Sequence, residues 1–384
     1  MSIRIIFYVV VNLILFSTGF TQWINDHQFS EHTRKGIDYV YDLSFDSARL
    51  EFQKLTKIYP NHPAGHFFLA MVEWWGIVLN IDDESNDDKF ISMLNKVIDI
   101  CDNRLDEDEN DLTALFYKGG SLGFRGRLYA YREDWVKAAN DGRIALPIVH
   151  DAFKIAPNNY DVLLGMGIYN FYAAVIPEQY PIVKPFMIFF PSGDRQKGII
   201  QLREASEKAT YANIEAKYFL AQILCNYEKK FDEALPLAMQ LNKQFPKNPL
   251  FQKYVVRCYA SLGYWNETNQ TCKDMLLKVK EKKYGYTETI EREAQFYLGL
   301  YEMTINNYDI ALQHLYRCDE LCRIIDKDGP SGYMVVTNLK IGNIYDLQSK
   351  REIAIKQYDK VLNMKDYQET HKQAERYLKT PYGK

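Results

Sequence analysis

The 384-residue chain has little of what marks a nucleic-acid-binding protein or a common enzyme. Its 47 lysines and arginines do not outnumber its 50 aspartates and glutamates, so the formal net charge is −3. A protein that binds phosphate groups usually carries a clear basic excess, and we therefore expect no nucleic-acid partner. The sequence contains no Walker loop, dinucleotide fingerprint, H-E-x-x-H or C-x-x-C motif. It therefore predicts no cofactor and no metal.

Long hydrophobic runs are also missing, except near the N terminus. Arg4 precedes an apolar run at residues 5–16, and Ser17, Thr18 and Gly19 follow it. Such a run is too short for a membrane span, which needs about 20 residues, but it is typical of a secretory signal. We predict a signal peptide at residues 1–22, export to the periplasm or cell envelope, and a mature chain that does not span the membrane. An uncleaved interfacial anchor is the alternative.

Helical periodicity dominates the rest of the chain. At residues 218–246, Ala234, Ala238 and Leu241 recur at helical spacing, and Pro246 follows them. A second apolar stripe precedes them across a short polar turn. This arrangement predicts two antiparallel helices.

The same spacing recurs along the chain. In the first unit Gly36 is followed by Ala48, Phe52, Leu55 and Pro60 at the same offsets. The corresponding first positions of the eight units are Gly36, Ala70, Gly119, Gly167, Gln222, Val256, Gly299 and Gly342. We therefore predict about eight helix pairs, followed by a capping helix at residues 368–377.

This pattern resembles the tetratricopeptide repeat, most clearly at residues 36–60 and 216–366. The resemblance implies an all-α fold, in which residues 23–384 form one right-handed solenoid of helical hairpins. The layout is also similar to exported tetratricopeptide repeat proteins of Bacteroidota-type bacteria, which implies a compartment but no activity.

The resemblance further implies a non-catalytic scaffold that binds a protein or peptide segment on its concave face. The family's clamp of paired Lys and Asn is not reproduced, and an aromatic groove suits an apolar or extended peptide instead. Packing between long helices is an equal alternative use of these rings. The concave positions hold Phe67, Met71, Trp74, Trp75, Phe116, Phe124, Phe171, Tyr172, Phe219, Asn226, Tyr227, Lys253 and Arg257.

One motif favours a different function. Residues 119–123 read GGSLG, which matches the G-x-S-x-G elbow of serine hydrolases. Ser121 as nucleophile with His150 as base is therefore the alternative hypothesis. The simpler reading is that these glycines serve helix contacts within a repeat.

Two segments depart from the repeat pattern. Residues 124–143 are rich in arginine and aromatics, which predicts one long amphipathic helix with a buried Trp135, or else part of a ligand-facing surface. Residues 173–193 form an apolar insertion with four prolines, which forbid a continuous helix. We expect its residues 188–190 to rest on the concave side as a lid or docking element, unless the segment is a packed loop.

Six cysteines in an exported protein suggest disulfides. The repeat register favours another reading, because Cys225, Cys272 and Cys318 fall at positions that point inward. We therefore predict free thiols that fill the core.

Overall fold

The computed structural model describes residues 22–179, 184–187, 191–327 and 329–384. Within these ranges all regular secondary structure is helical, as predicted. The predicted signal peptide lies outside the described residues except for Gln22. Residues 180–183 and 188–190 of the predicted insertion lie outside them as well.

Eighteen helices are described. In chain order they are α1 His27–Tyr41, α2 Phe45–Ile58, α3 Ala64–Leu79, α4 Asp87–Glu107, α5 Leu112–Tyr131, α6 Trp135–Ile155, α7 Tyr160–Gln179, α8 Lys184–Met187, α9 Arg195–Lys208, α10 Asn213–Ile223, α11 Phe231–Gln244, α12 Pro249–Ser261, α13 Trp265–Lys280, α14 Glu288–Thr304, α15 Tyr308–Ile325, α16 Gly332–Leu347, α17 Arg351–Leu362 and α18 Thr370–Lys379. A π-helical segment, Leu224–Glu228, continues α10.

Consecutive helices pack as hairpins and build a solenoid of tetratricopeptide-repeat type. The inner-layer helices of the eight described pairs are α1, α3, α5, α7, α10, α12, α14 and α16, and each also contacts the inner helix of a neighbouring pair. Each predicted first position lies in one of these helices. The predicted eight pairs are therefore confirmed, and α18 caps the last pair close to the predicted range.

Close contact within a pair explains why the first position is glycine in five of the eight pairs. A Cβ atom on Gly342 would lie 2.6 Å from the Tyr358 ring of the outer helix. Small residues on the outer helices complete this contact, and all five of the alanines that occupy the matching position are buried: Ala48, Ala145, Ala234, Ala311 and Ala354. Larger side chains at these positions would force the two helices apart.

The prediction of one helix at residues 124–143 is wrong. Helix α5 ends at Tyr131 and α6 begins at Trp135. Glu133 has a left-handed φ of 56°, and the Asp134 side chain caps α6 by accepting a hydrogen bond from the Lys137 amide at 3.2 Å. Trp135 is half-buried rather than buried, because it begins a helix at the end of the hairpin.

The predicted insertion at residues 173–193 also begins with helix. Helix α7 continues through Pro177 and ends at Gln179. Pro177 has no N–H to donate to the Ala173 carbonyl, so α7 loses one hydrogen bond near its C terminus. Where the chain returns, Tyr169 Oη donates a hydrogen bond to the Pro191 carbonyl at 2.5 Å.

The solenoid curves enough for its first pair to touch its fifth and sixth pairs. Tyr41 Oη donates to Glu215 Oε2 at 2.8 Å, and Asn248 Nδ2 donates to the Tyr41 carbonyl at 3.1 Å. At the surface, Lys247 Nζ lies 2.6 Å from Asp42 Oδ2. The inner face of the first pairs is therefore covered by the chain itself.

Candidate functional site

The predicted concave-face residues all lie in inner-layer helices or the π-helical segment, but their exposure differs. Asn226 is exposed. The partly exposed residues are Phe116, Phe124, Tyr172, Tyr227, Lys253 and Arg257. The buried residues are Phe67, Met71, Trp74, Trp75, Phe171 and Phe219.

The buried tryptophans of α3 are core residues. The centroid of the Trp75 ring lies 4.9 Å from that of Tyr41 and 5.3 Å from that of Tyr218. Trp74 packs edge-on against Phe124, with ring centroids 5.5 Å apart. Trp74 is only 1% exposed and Trp75 only 2% exposed. The Trp75 ring thus joins the first and second pairs to the fifth pair, and the Trp74 ring joins the second pair to the third. Both aromatic side chains therefore serve packing between helices.

A partly buried arginine, Arg127, packs on these rings. The Arg127 guanidinium lies over the rings of Phe219 and Trp74, at 4.6 and 5.1 Å from their centroids. Burial raises the pKa of Glu215, and the charge of Arg127 opposes that effect. Sequence reasoning missed both residues, since they come from α5 and α10. Only the arginine and aromatic density of residues 124–143 signalled this region.

A second group of polar side chains lies further along the inner face, and we name it the inner polar cluster: Asn226, Lys253, Arg257, Glu293 and Tyr333. Arg257 is its centre, since its guanidinium holds the Glu293 carboxylate through two nitrogens, with Nη2 to Oε2 at 3.1 Å. Arg257 also donates to Asn226 Oδ1 and to Tyr333 Oη, both at 3.3 Å. Lys253 Nζ is 4.0 Å from Glu293 Oε2.

The two cations of the inner polar cluster, Lys253 and Arg257, differ in their electrostatic environment. Burial and the neighbouring Arg257 lower the pKa of Lys253 to about 8, although Glu293 opposes them. Burial alone would raise the pKa of Glu293, but Arg257 and Lys253 together bring it below its usual value. Arg257 is therefore the main partner of Glu293, whereas Lys253 Nζ lies beyond hydrogen-bond distance of the Glu293 carboxylate.

Part of this cluster could have been found from the register. In the numbering of the tetratricopeptide repeat, Gly299 is position 8 of its unit and Glu293 is position 2. Position 2 is one of the concave positions of the repeat. Tyr333 precedes the first position of its unit, so spacing alone gives no reason to select it.

The structure offers no support for a Ser121 nucleophile. Ser121 is fully buried in the middle of α5, and its Oγ has no hydrogen-bond partner within the described chain. Nε2 of His150 also has none, so the two side chains do not form the hydrogen bond that activation requires. Gly119 and Gly120 instead face neighbouring side chains, since a Cβ on Gly119 would lie 3.0 Å from Val149 and one on Gly120 would lie 3.4 Å from Phe67. A Cβ on Gly123 would meet no atom within 4 Å.

The described residues contain neither a metal-ion cluster nor a membrane-spanning helix. No three His, Cys, Asp or Glu side chains there are grouped so that they could hold a metal ion. No helix there has the length and apolar character needed to cross a membrane. Two open surface cavities, of about 390 and 430 Å³, are lined by none of the predicted concave-face residues.

Comparison with known proteins gives structural likeness only. No family model matches the chain, and no curated protein matches it. The chain is similar to the crystal structure of yeast Tom70, with a TM-score of 0.37 and 12% identity over 91% of this chain and 87% of that one. It is also similar to a human IFIT1 dimer with PPP-AAAA, with a TM-score of 0.42 and 12% identity over 94% of this chain and 86% of that one. At these scores and identities no ligand or activity is carried over to this chain.

Proposed function

We propose that this protein is a non-catalytic scaffold of the cell envelope, which binds a protein or peptide segment on its concave face. The inner polar cluster is the observation that carries the proposal. Removing charged groups from water costs free energy, and apolar side chains would fill the same space at least as well. Titratable groups that share a partly exposed position and have displaced pKa values are candidates for a functional site.

The surroundings of the cluster suit an extended segment. Asn226 is exposed beside Arg257, and its neighbour Tyr227 lies against Tyr172 with ring centroids 5.8 Å apart. Both rings are partly exposed, so they offer rigid apolar area at low entropic cost. The aromatic part of the proposed surface therefore consists of partly exposed rings such as Tyr172 and Tyr227, whereas Trp74 and Trp75 lie in the core.

Site-specific photocrosslinking tests the binding site. A photoreactive residue at Asn226 is expected to crosslink a partner in cells, whereas one at Met239, which is exposed on the outer helix α11, is not. Lys253→Met is expected to reduce the Asn226 crosslink at least about tenfold without loss of helical content. Equal crosslinking from both positions, or no effect of Lys253→Met, would contradict the proposed surface.

The proposed location rests on the N-terminal pattern of Arg4, the apolar run and the small residues after it. Fractionation of cells that produce the C-terminally tagged full chain tests it. We expect the protein in the envelope fraction, with its N terminus shortened. An unshortened chain in the cytoplasm would contradict the proposal.

A further inference from the structure

Two of the six cysteines lie side by side in consecutive inner-layer helices. Cys225 is in the π-helical segment that ends α10, and Cys258 is in α12. Their sulfur atoms are 3.4 Å apart. A disulfide has a sulfur–sulfur distance of about 2.05 Å, so bond formation needs an approach of roughly 1.4 Å.

The other thiols lack this arrangement. Cys318 and Cys322 are one turn apart on the single helix α15, and Cys318 Sγ lies 3.3 Å from Thr337 Oγ1 on α16. Cys272 is completely buried in α13. Cys225 and Cys258 therefore differ from the rest in joining two separate helix pairs.

The local environment distinguishes the two members of the pair. The hydrogen bond between the thiols lowers the pKa of Cys225, burial opposes this, and the cations Arg257 and Lys229 lower it further. The same hydrogen bond and burial raise the pKa of Cys258. Cys225 is thus the member that reaches the thiolate state first, and the thiolate is the nucleophile in disulfide exchange.

The fold also provides a route for exposing Cys225. A π-helical turn is rare and is often found at a functional site. Here it ends at Lys229, which has a left-handed φ of 56°, and the adjacent Asn226 is exposed. Fraying of this last turn would bring Cys225 to solvent without unfolding the hairpin.

We infer that Cys225 and Cys258 form a redox modification site, which a low-molecular-weight disulfide oxidises to an intramolecular disulfide between α10 and α12. The Cys225 thiolate attacks one sulfur of the reagent, forms a mixed disulfide and releases one reagent thiolate. Cys258 then loses its proton and attacks the Cys225 sulfur, which releases the second reagent thiol. The two protein thiols lose two electrons and two protons, and the reagent disulfide is reduced to two thiols.

Oxidised glutathione acting on the folded full chain tests this inference. After incubation the remaining thiols are alkylated without reduction, and the digest is analysed by mass spectrometry. We expect a linked pair of peptides that contain Cys225 and Cys258, formed at least about tenfold faster than any other linkage.

Two variants with matched burial control the experiment. Cys258→Ser should abolish the linked pair and leave a glutathione adduct on Cys225, whereas Cys272→Ser should oxidise as the unmodified protein does. Circular dichroism before oxidation establishes that each variant is folded. Absence of the linked pair in the folded protein, or preferential linkage of other cysteines, would overturn the inference.

Discussion

Replacing Lys253 by methionine should stabilise this protein at neutral pH. The ammonium lies on the inner face of α12 with only 19% of its side chain exposed, and its pKa is lowered from 10.5 to about 8. Methionine has a similar length and no charge, so it removes the cost of burying the ammonium. Arg257 remains to hold the Glu293 carboxylate.

The displaced pKa sets the size of this effect. Each pKa unit between the unfolded and folded values of 10.5 and about 8 corresponds to about 1.4 kcal/mol, which gives an upper limit of about 3.5 kcal/mol. Because the side chain keeps some contact with water, we expect a gain of about 1–2 kcal/mol in the free energy of unfolding.

The gain should also depend on pH. Below pH 8 the folded and unfolded states both bind the proton, so the unmodified protein is destabilised by the full cost. Between about pH 8 and 10.5 the folded state releases the proton while the unfolded state keeps it, so the stability of the unmodified protein rises with pH. The difference between Lys253→Met and the unmodified protein should therefore shrink from pH 7 to pH 10.

Urea denaturation followed by circular dichroism at both pH values measures this difference. Lys243→Met is the control, since Lys243 is exposed on the outer helix α11 and its replacement should change stability by less than about 0.5 kcal/mol. An unchanged midpoint for Lys253→Met at pH 7, or a gain as large at pH 10, would refute the reasoning.

Three further predictions concern the packing of the solenoid. Tyr41→Phe removes the hydrogen bond to the buried Glu215 carboxylate and should lower the free energy of unfolding by about 1.5–3 kcal/mol, and an unchanged denaturation midpoint would argue against closure of the solenoid at this contact. Gly198→Ala places a Cβ 2.6 Å from a backbone nitrogen of α7 and should lower the free energy of unfolding by about 1–3 kcal/mol. Gly123→Ala places its Cβ where no atom lies within 4 Å and should stabilise α5 by up to about 1 kcal/mol. Thermal denaturation that shows the reverse order of stability would contradict this packing. Ser121→Ala removes a buried hydroxyl without a hydrogen-bond partner and should raise the free energy of unfolding by about 1 kcal/mol. If a serine-hydrolase probe labelled the unmodified protein but not the Ser121→Ala variant, the hydrolase alternative would be favoured.

The sequence alone determined the helix pairs, because local physics controls them. A small residue such as Gly299 lies close to an alanine such as Ala311 where the two helices of a hairpin meet, with 3.4 Å between a Cβ on Gly299 and the Ala311 carbonyl oxygen, so their spacing repeats along the chain. Burial of the cysteines at inward positions followed from the same register.

The turn at Glu133 was missed because the arginine and aromatic pattern continues across it. Six of the described hairpins use a residue with positive φ at their turn, and only Gly263 among these residues is a glycine: Leu43, Glu133, Lys229, Gly263, Asn306 and Ser349. Turn chemistry was therefore a weak signal in this chain.

Only the tertiary structure determined which aromatic and charged side chains of the inner face are buried and which are exposed. The contact of Tyr41 with Glu215 depends on the curvature accumulated over several pairs, which no spacing within one unit records. That curvature buries Trp75 between the first and fifth pairs but leaves Asn226 exposed beside Arg257. The contact between Cys225 and Cys258 could not be predicted from the sequence either, because it arises where inner helices of neighbouring pairs lie against each other. Repeat register fixes which face a residue occupies, whereas its solvent exposure depends on residues distant in the chain.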